Sequence, residues 1–392
     1  MRAEFDTDPQ TLYFHAANQS ISPRCVRQAI PRYHEEYERN PSVGMAQAWG
    51  RLWESQRLLA GLVGARAQDC FLRANVTAVL NQFLLGIALP EGSEILAGEL
   101  EYGAIVNIAR LRALRDRLRL RLIRMPGSLP ALRRLDPEQL ADRVVSAIGP
   151  RTRLVLLSHV VGGIGLVMPI EKIARETRRR GCLLVVDGAY APGALDVDFG
   201  RLGDIDFYGC SLYKWLLGPK GTAFGWVAPR NQATLTPTQA GWLTFGSYGP
   251  FSAFGGGDRF QETFLMPGCH DFAPFFAIAD TIDFWQRHTP GAVRDRMNRL
   301  RGRVESRLSE RLGWRQLAPD HPALRGPIAA FRVPDAWQKE GPRLQSRLLA
   351  ECGVQIGTVL LQGQWLVSIS PHVYNDETEI EQMVARFERW RP

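Results

Sequence analysis

Lysine is scarce in this chain: of its 48 basic residues only four are lysines (Lys172, Lys214, Lys220 and Lys339), and the rest are arginines. Codon usage biased towards arginine accounts for most of that ratio, but it leaves four amines worth inspecting singly. Long apolar runs are missing too. No stretch nears the ~20 uninterrupted apolar residues of a membrane-spanning helix, and the start, Met1-Arg-Ala-Glu-Phe-Asp-Thr-Asp, is polar and acidic rather than a signal peptide. A cytoplasmic protein without membrane contact is expected. The six cysteines lack C-x-x-C spacing, so neither a zinc site nor a disulfide framework is indicated, and most are expected to be buried thiols. No G-x-G-x-x-G follows a strand, and no G-x-x-x-x-G-K-[ST], H-E-x-x-H or G-x-S-x-G block occurs. Dinucleotide, P-loop, zinc-protease and nucleophile-elbow chemistries therefore have no footing.

At 392 residues the chain is long enough for a large domain and a smaller one. Its formal charge of +8 raises the question of nucleic acid. The arginines, however, are spread along helices. In Arg110-Leu-Arg-Ala-Leu-Arg-Asp-Arg-Leu-Arg-Leu-Arg121 they alternate with leucines and read as the solvent faces of packed elements. Nucleic acid is not an expected partner, and the field favours small anionic substrates instead.

Among the lysines, Lys172 falls on an exposed-looking helix and Lys339 in a polar loop. Lys214 sits among Tyr213, Trp215, Leu216 and Leu217, a setting that lowers an amine's pKa towards its nucleophilic form. The bland alternative is a lysine reaching out to water from a strand end. Asp187 stands 27 residues earlier, closing the apolar run Leu183-Leu-Val-Val-Asp187. An acid and an amine at the ends of neighbouring buried strands match the needs of pyridoxal phosphate. That cofactor requires a lysine to hold its aldehyde as a Schiff base and a carboxylate to keep its pyridine nitrogen protonated.

Other strand ends are polar as well. After Asp69-Cys-Phe-Leu-Arg-Ala come Asn75, Val76 and Thr77 and then an apolar helix, so free amides and a helix dipole meet in one place. That is either an anion site or an ordinary N-cap. Glu101-Tyr102-Gly103 and Ser158-His159 close two further runs. Alternating strands and helices through Asp187 imply a mostly parallel sheet, with its ligand site at the carboxyl ends of the strands.

Asp187, Ser211 and Lys214, followed by Trp215 and the Gly218-Pro-Lys-Gly221 turn, resemble the class V aminotransferase family, which includes cysteine desulfurases and isopenicillin N epimerase-like enzymes. The resemblance runs from about Tyr13 to about Glu379. It implies the α/β architecture of fold-type I pyridoxal phosphate enzymes, a large domain with a mostly parallel sheet flanked by helices plus a small C-terminal α+β domain. The expected division is 1–40 for an N-terminal segment, 41–285 for the cofactor domain and 286–392 for the small domain, in a homodimer with sites at its interface. Lys214 is the expected Schiff-base lysine and proton carrier, and Asp187 the partner of the pyridinium. Tyr102 would stack on the ring, and Ser211, Tyr213, Asn75, Val76 and Thr77 would hold the phosphate. His159 would face the cofactor phenolate or the substrate, or is merely a satisfied polar group. Asn18, in a segment that enters the family's site, is a substrate-contact candidate or a turn former.

Several positions depart from the family pattern. Tyr190 stands where relatives carry Gln or His, Tyr213 where they carry His, and Cys269 where a Thr reaches a neighbouring subunit's phosphate. In Val367-Ser-Ile-Ser-Pro-His-Val-Tyr-Asn375, Ser368 replaces the arginine that grips a substrate α-carboxylate. Either the substrate lacks that free carboxylate, being an amine or a larger biosynthetic intermediate, or presents it elsewhere, or another arginine such as Arg332 compensates from a neighbouring strand. Transamination, C–S β-elimination, epimerisation and decarboxylation all remain open. Desulfurase chemistry is disfavoured, because the expected loop 357–364 holds no cysteine to receive sulfur. A non-catalytic protein that has kept the fold is the reading from another class, and Lys214 together with Asp187 speaks against it.

Overall fold

Seven short runs pair into one sheet: Cys70–Arg73 (β1), Glu94–Gly98 (β2), Arg119–Ile123 (β3), Thr152–Ser158 (β4), Leu183–Asp187 (β5), Phe207–Ser211 (β6) and Ala223–Val227 (β7). The computed structural model describes residues 1–125, 129–245, 258–265 and 268–391. Sheet order is β1-β7-β6-β5-β4-β2-β3. From β6 across to β3 the strands are parallel, and β7 runs antiparallel to both its neighbours. Strands β5, β6 and β7 are buried on both faces, which is why they read as nearly continuous apolar runs rather than alternating ones. Strand β7 is the member that the periodicity did not announce: Gly225 interrupts it, and a glycine inside a strand pattern weakens the signal.

That glycine has a packing reason. The helix Val76–Gly86 lies across β6 and β7. A Cβ added to Gly225 of β7 or to Gly209 of β6 would stand 2.9 Å from Val79 Cγ1 of that helix. Two side-chain-free positions thus let the helix settle against these strands, β6 being the one that leads to Lys214. Asn75 caps it, its side chain accepting from the Ala78 amide at 2.9 Å. Gly209→Val should push the helix off the sheet at a cost of about 1–3 kcal/mol. A lowered urea midpoint at unchanged m-value is the expected readout.

The arginine-leucine helix corrects the solvent-face expectation. On Gly103–Arg115, Arg112 is buried, donating to the Leu84 and Ile87 carbonyls at 2.7 and 2.6 Å and paired with Asp116 at 2.6 Å. It satisfies the carbonyls at the end of the neighbouring helix. Leu111 and Leu114 face outward instead, 53% and 83% exposed. The thiols also divide: Cys70, Cys182 and Cys210 are buried, Cys25 and Cys352 half-buried and Cys269 exposed.

Past the helices Ala273–Phe276 and Ile278–His288, which meet at Ala277, the long helix Pro290–Leu312 leads to a second sheet. Its strands are Arg315–Gln316 (β8), Ala329–Arg332 (β9), Gly357–Leu361 (β10) and Gln364–Ile369 (β11), all antiparallel in the order β8-β9-β11-β10. The segment 357–364 is therefore not a loop. It is a strand and a two-residue hairpin turn, with Gln362 and Gly363 both at positive φ, the backbone of a tight β-hairpin. Val354–Gln355 pairs outside this sheet, in parallel with Leu12–Tyr13. The stretch from Thr234 to Gly257, rich in Gly, Ser, Thr and Phe, reads in sequence as a loop near a site or an interface; it is described only to residue 245, and 246–257 lie outside the described residues. No helix among the described residues is long and apolar enough to cross a membrane.

Candidate active site

The polar strand ends converge. Asp187 closes β5, with Ser158 of β4 opposite it on one side and Gly209 of β6 on the other. Two residues beyond Gly209, the Ser211 hydroxyl is buried and has no hydrogen-bond partner. An orphaned buried hydroxyl is costly unless a ligand completes it. Asn75 takes the Ala78 amide, which leaves the amides of Val76 and Thr77 without intrahelical acceptors, as in any first helical turn. Ser211 and this turn can together receive the oxygens of a phosphate.

After β6 the chain makes a tight loop that carries Lys214. Gly218 N donates to Leu212 O at 2.8 Å and Leu217 N to Lys214 O at 3.2 Å, with Leu217 itself at φ +63°. The loop is fastened from outside. Ser20 N donates to Tyr213 O at 2.9 Å, His372 Nε2 to Trp215 O at 3.2 Å and Trp285 Nε1 to Leu216 O at 2.7 Å. Held this way, the Lys214 ammonium sits 4.1 Å from the centroid of the Tyr190 ring, a cation–π contact.

Asp187 is 2% exposed, and one oxygen accepts from Ala189 N at 2.9 Å. Burial pushes its carboxyl up to about 6, against the pull of the Ala189 amide and the Lys214 ammonium. No basic side chain among the described residues lies within ion-pair distance of it, so a cationic ring nitrogen would supply the missing counter-charge. Tyr190 is kept protonated by burial, with Asp187 and Tyr102 adding to the effect, so its phenol remains a donor.

Of these groups Tyr190 borders a cleft of ≈ 370 Å³, which His15, Glu101, Tyr102, Ser158 and Ser368 also line; Ser158 is the residue paired with Asp187 across the sheet. Neither Asp187 nor Lys214 is in the lining of that cleft or of larger openings of ≈ 540 and ≈ 620 Å³, but only the first holds Tyr190, the ring beside the Lys214 amine; Cys269 lies in the last. Tyr102 stands at the rim, 58% exposed. Asn18 also lines the cleft, its amide closing a turn onto His15 O at 3.0 Å. Tyr213 is half-buried beside Lys214.

His159 is placed elsewhere. Side chains alternate along a strand, so with Ser158 facing the cleft its neighbour turns to the other face. His159 Nδ1 meets the Tyr208 hydroxyl at 2.9 Å, and burial lowers its pKa to about 4. It does not line the cleft. Arg332 is absent from the cleft lining as well, its guanidinium held by Asp335 at 2.6 Å and Gln364 at 3.1 Å.

Three cleft residues had no assigned role in the sequence reading. Glu101 is buried, hydrogen-bonded to Ser158 Oγ and pushed up to about 8, chiefly by burial, with Asp187 also raising it. His15 enters because its segment bridges Ser370 of the small sheet. Gly162 leaves room for Tyr190, whose Cε2 would lie 3.0 Å from a Cβ there. The polar run after Leu12-Tyr-Phe was the one available signal for His15.

A mostly parallel sheet flanked by helices, followed by a small antiparallel domain, is the fold of type I pyridoxal phosphate-dependent enzymes. A family model, Aminotransferase class-V, matches residues 12–382, and the chain belongs to that family of pyridoxal phosphate enzymes. It is 32% identical over 385 residues to isopenicillin N epimerase of Streptomyces clavuligerus, covering 96% of this chain and 94% of that one. It is 35% identical over 349 residues to isopenicillin N epimerase of Amycolatopsis lactamdurans, covering 85% and 83%. In structure it is similar to the cystine C-S lyase C-DES in complex with cysteine persulfide (TM-score 0.85, 23% identity, 98% and 99% covered). It is also similar to a cysteine desulfurase from Thermococcus onnurineus NA1 (TM-score 0.82, 20% identity, 99% and 96% covered).

Proposed function

We propose that this protein is a pyridoxal phosphate enzyme that performs transamination or related α-carbon chemistry on an amine, or on an amino-acid-derived intermediate whose α-carboxylate is masked. The observation that carries the reading is the meeting of Lys214, buried Asp187 and the orphaned Ser211 hydroxyl beside the start of the helix Val76–Gly86. When bound, the cofactor supplies an electron sink for charge developing at the substrate α-carbon. Ser211, Tyr213 and the Asn75-Val76-Thr77 turn bind its phosphate, and Asp187 holds a proton at its pyridine nitrogen. Tyr102 covers the ring from the rim, and the Tyr190 phenol donates a hydrogen bond. The Lys214 amine moves the proton at the α-carbon.

Substrate class follows from what the cleft lacks. No arginine is among the described residues that line it, Ser368 stands where the family's carboxylate-gripping arginine is expected, and Arg332 is engaged by Asp335. An unneutralised carboxylate there would cost several kcal/mol. Epimerisation at an α-carbon is the second reading, favoured by the two isopenicillin N epimerases among the relatives. Sulfur acceptance is disfavoured: Cys352 ends the helix Leu344–Cys352, half-buried, its thiol pushed up by burial. The outward Leu111 and Leu114 support pairing with a second copy of the chain. Boundaries near residues 40 and 285 suit the three segments, and the protein is assigned to the cytoplasm.

Reconstitution with the cofactor, borohydride reduction and peptide mass spectrometry test this reading. A phosphopyridoxyl group on Lys214 is expected; a label confined to other lysines would overturn it.

A further inference from the structure

One corner of the cleft is built from three elements distant in sequence. His15 comes from the N-terminal segment, Gly357 from β10 and Ser368 from β11, where Gly357 and Ser368 are paired. A Cβ on Gly357 would stand 2.9 Å from His15 Nε2 and 3.3 Å from Ser368 Cβ. The absent side chain is what leaves the corner open.

We propose that His15 and Ser368 form a subsite of two uncharged donors that selects an uncharged acceptor at the substrate's α-carbon, a carboxamide or ester carbonyl rather than a carboxylate. This rests on the cofactor-site reading above and narrows its substrate class. The tautomer of His15 is set by its neighbour. Gln355 Nε2 lies 3.4 Å from His15 Nδ1 and at the same distance donates to Ile356 O. A carbonyl only accepts, so this amide nitrogen is the donor end, and Nδ1 must receive from it. The single proton of the neutral ring then sits on Nε2, directed at the open corner. Burial first and the Lys214 ammonium second hold the ring's pKa at about 4, so His15 carries no charge to offer an anion at neutral pH. Ser368 is 5% exposed, and no hydrogen bond of the described residues engages its hydroxyl. Glu101, the acidic group among the described residues lining the same cleft, repels an added negative charge whenever it ionises. Two neutral donors, with no Lys or Arg among the described residues of the lining, satisfy a carbonyl oxygen and leave a carboxylate's charge without a direct partner.

Three amines that differ only at one substituent of the α-carbon test this: L-alaninamide, L-alanine and isopropylamine, titrated into the reconstituted holoenzyme. Binding is read from the visible absorbance of the cofactor and expressed for the free amine. L-Alaninamide should bind about tenfold tighter than isopropylamine, and tighter than L-alanine. His15→Phe should bring the ratio of amide to isopropylamine affinity towards one, and Ser368→Arg should reverse the preference in favour of L-alanine. If His15→Phe does not fold, Ser368→Ala reads the same ratio. An absorbance response to isopropylamine without preference for the amide overturns the subsite and leaves the cofactor site standing, as does a ratio unchanged in the variants. No response to any of the three amines, or to hydroxylamine, overturns both.

Discussion

Lys214→Ala protein is expected to show no measurable turnover while still retaining cofactor. A positioned acid–base group supplies about 10²–10⁴ in rate, and here the covalent anchor is removed with it, so the loss should reach or pass the upper end of that range. Retention follows from where the other contacts originate. Ser211 belongs to β6, Asn75 to the helix cap and Asp187 to β5, and none depends on the lysine side chain. Purified variant assayed for kcat beside an absorbance titration with free cofactor separates the two effects. Measurable turnover would remove Lys214 from its role.

Asp187→Ala should be nearly as damaging. The carboxyl is the acidic group that closes β5, and its raised pKa reflects burial without a cation in contact. In the proposed role a protonated ring nitrogen would be its counter-charge, and that pair would keep the nitrogen protonated as charge arrives from the α-carbon. Deleting one preorganised electrostatic partner costs about 10²–10³ in kcat, and Asp187→Asn should recover little, since an amide carries no charge. A rate within a few-fold of the parent would mean that another group protonates the ring. The pH sign is distinct for the apoprotein. With the folded pKa raised to about 6, ionised Asp187 weakens the fold above that pH, and the cost is relieved as pH falls through about 6 towards the unfolded value near 4. Cofactor binding should remove that penalty.

Much of this was readable from spacing alone. Lys214 and Asp187 stood out because an amine and an acid closing apolar runs are conspicuous in one dimension, and the strand-helix alternation carried the parallel sheet with it. What escaped depends on three-dimensional approach. Strand β7 was hidden by Gly225, whose meaning is the closeness of Phe71 and Val79. Arg112 seemed a surface residue because periodicity does not report that the end of another helix needs donors. His159 and Ser158 adjoin in sequence, yet the pleat sends them to opposite faces. His15 reaches the cleft because its segment pairs with Val354–Gln355 and bridges Ser370, pairings no local pattern encodes. The hairpin at 362–363 was read as loop because glutamine is an unusual occupant of a positive-φ turn position.

The fastening of the Lys214 loop bears on the order in which the site takes shape. The Tyr213 carbonyl is held by the Ser20 amide, Leu216 by Trp285 and Trp215 by His372, so its three external ties come from residues far from the loop and from one another in sequence. Contacts of such long sequence separation form late in folding. The carboxylate at the end of β5 is therefore expected to settle with the sheet, and the lysine loop to gain its order only when the distant segments have docked.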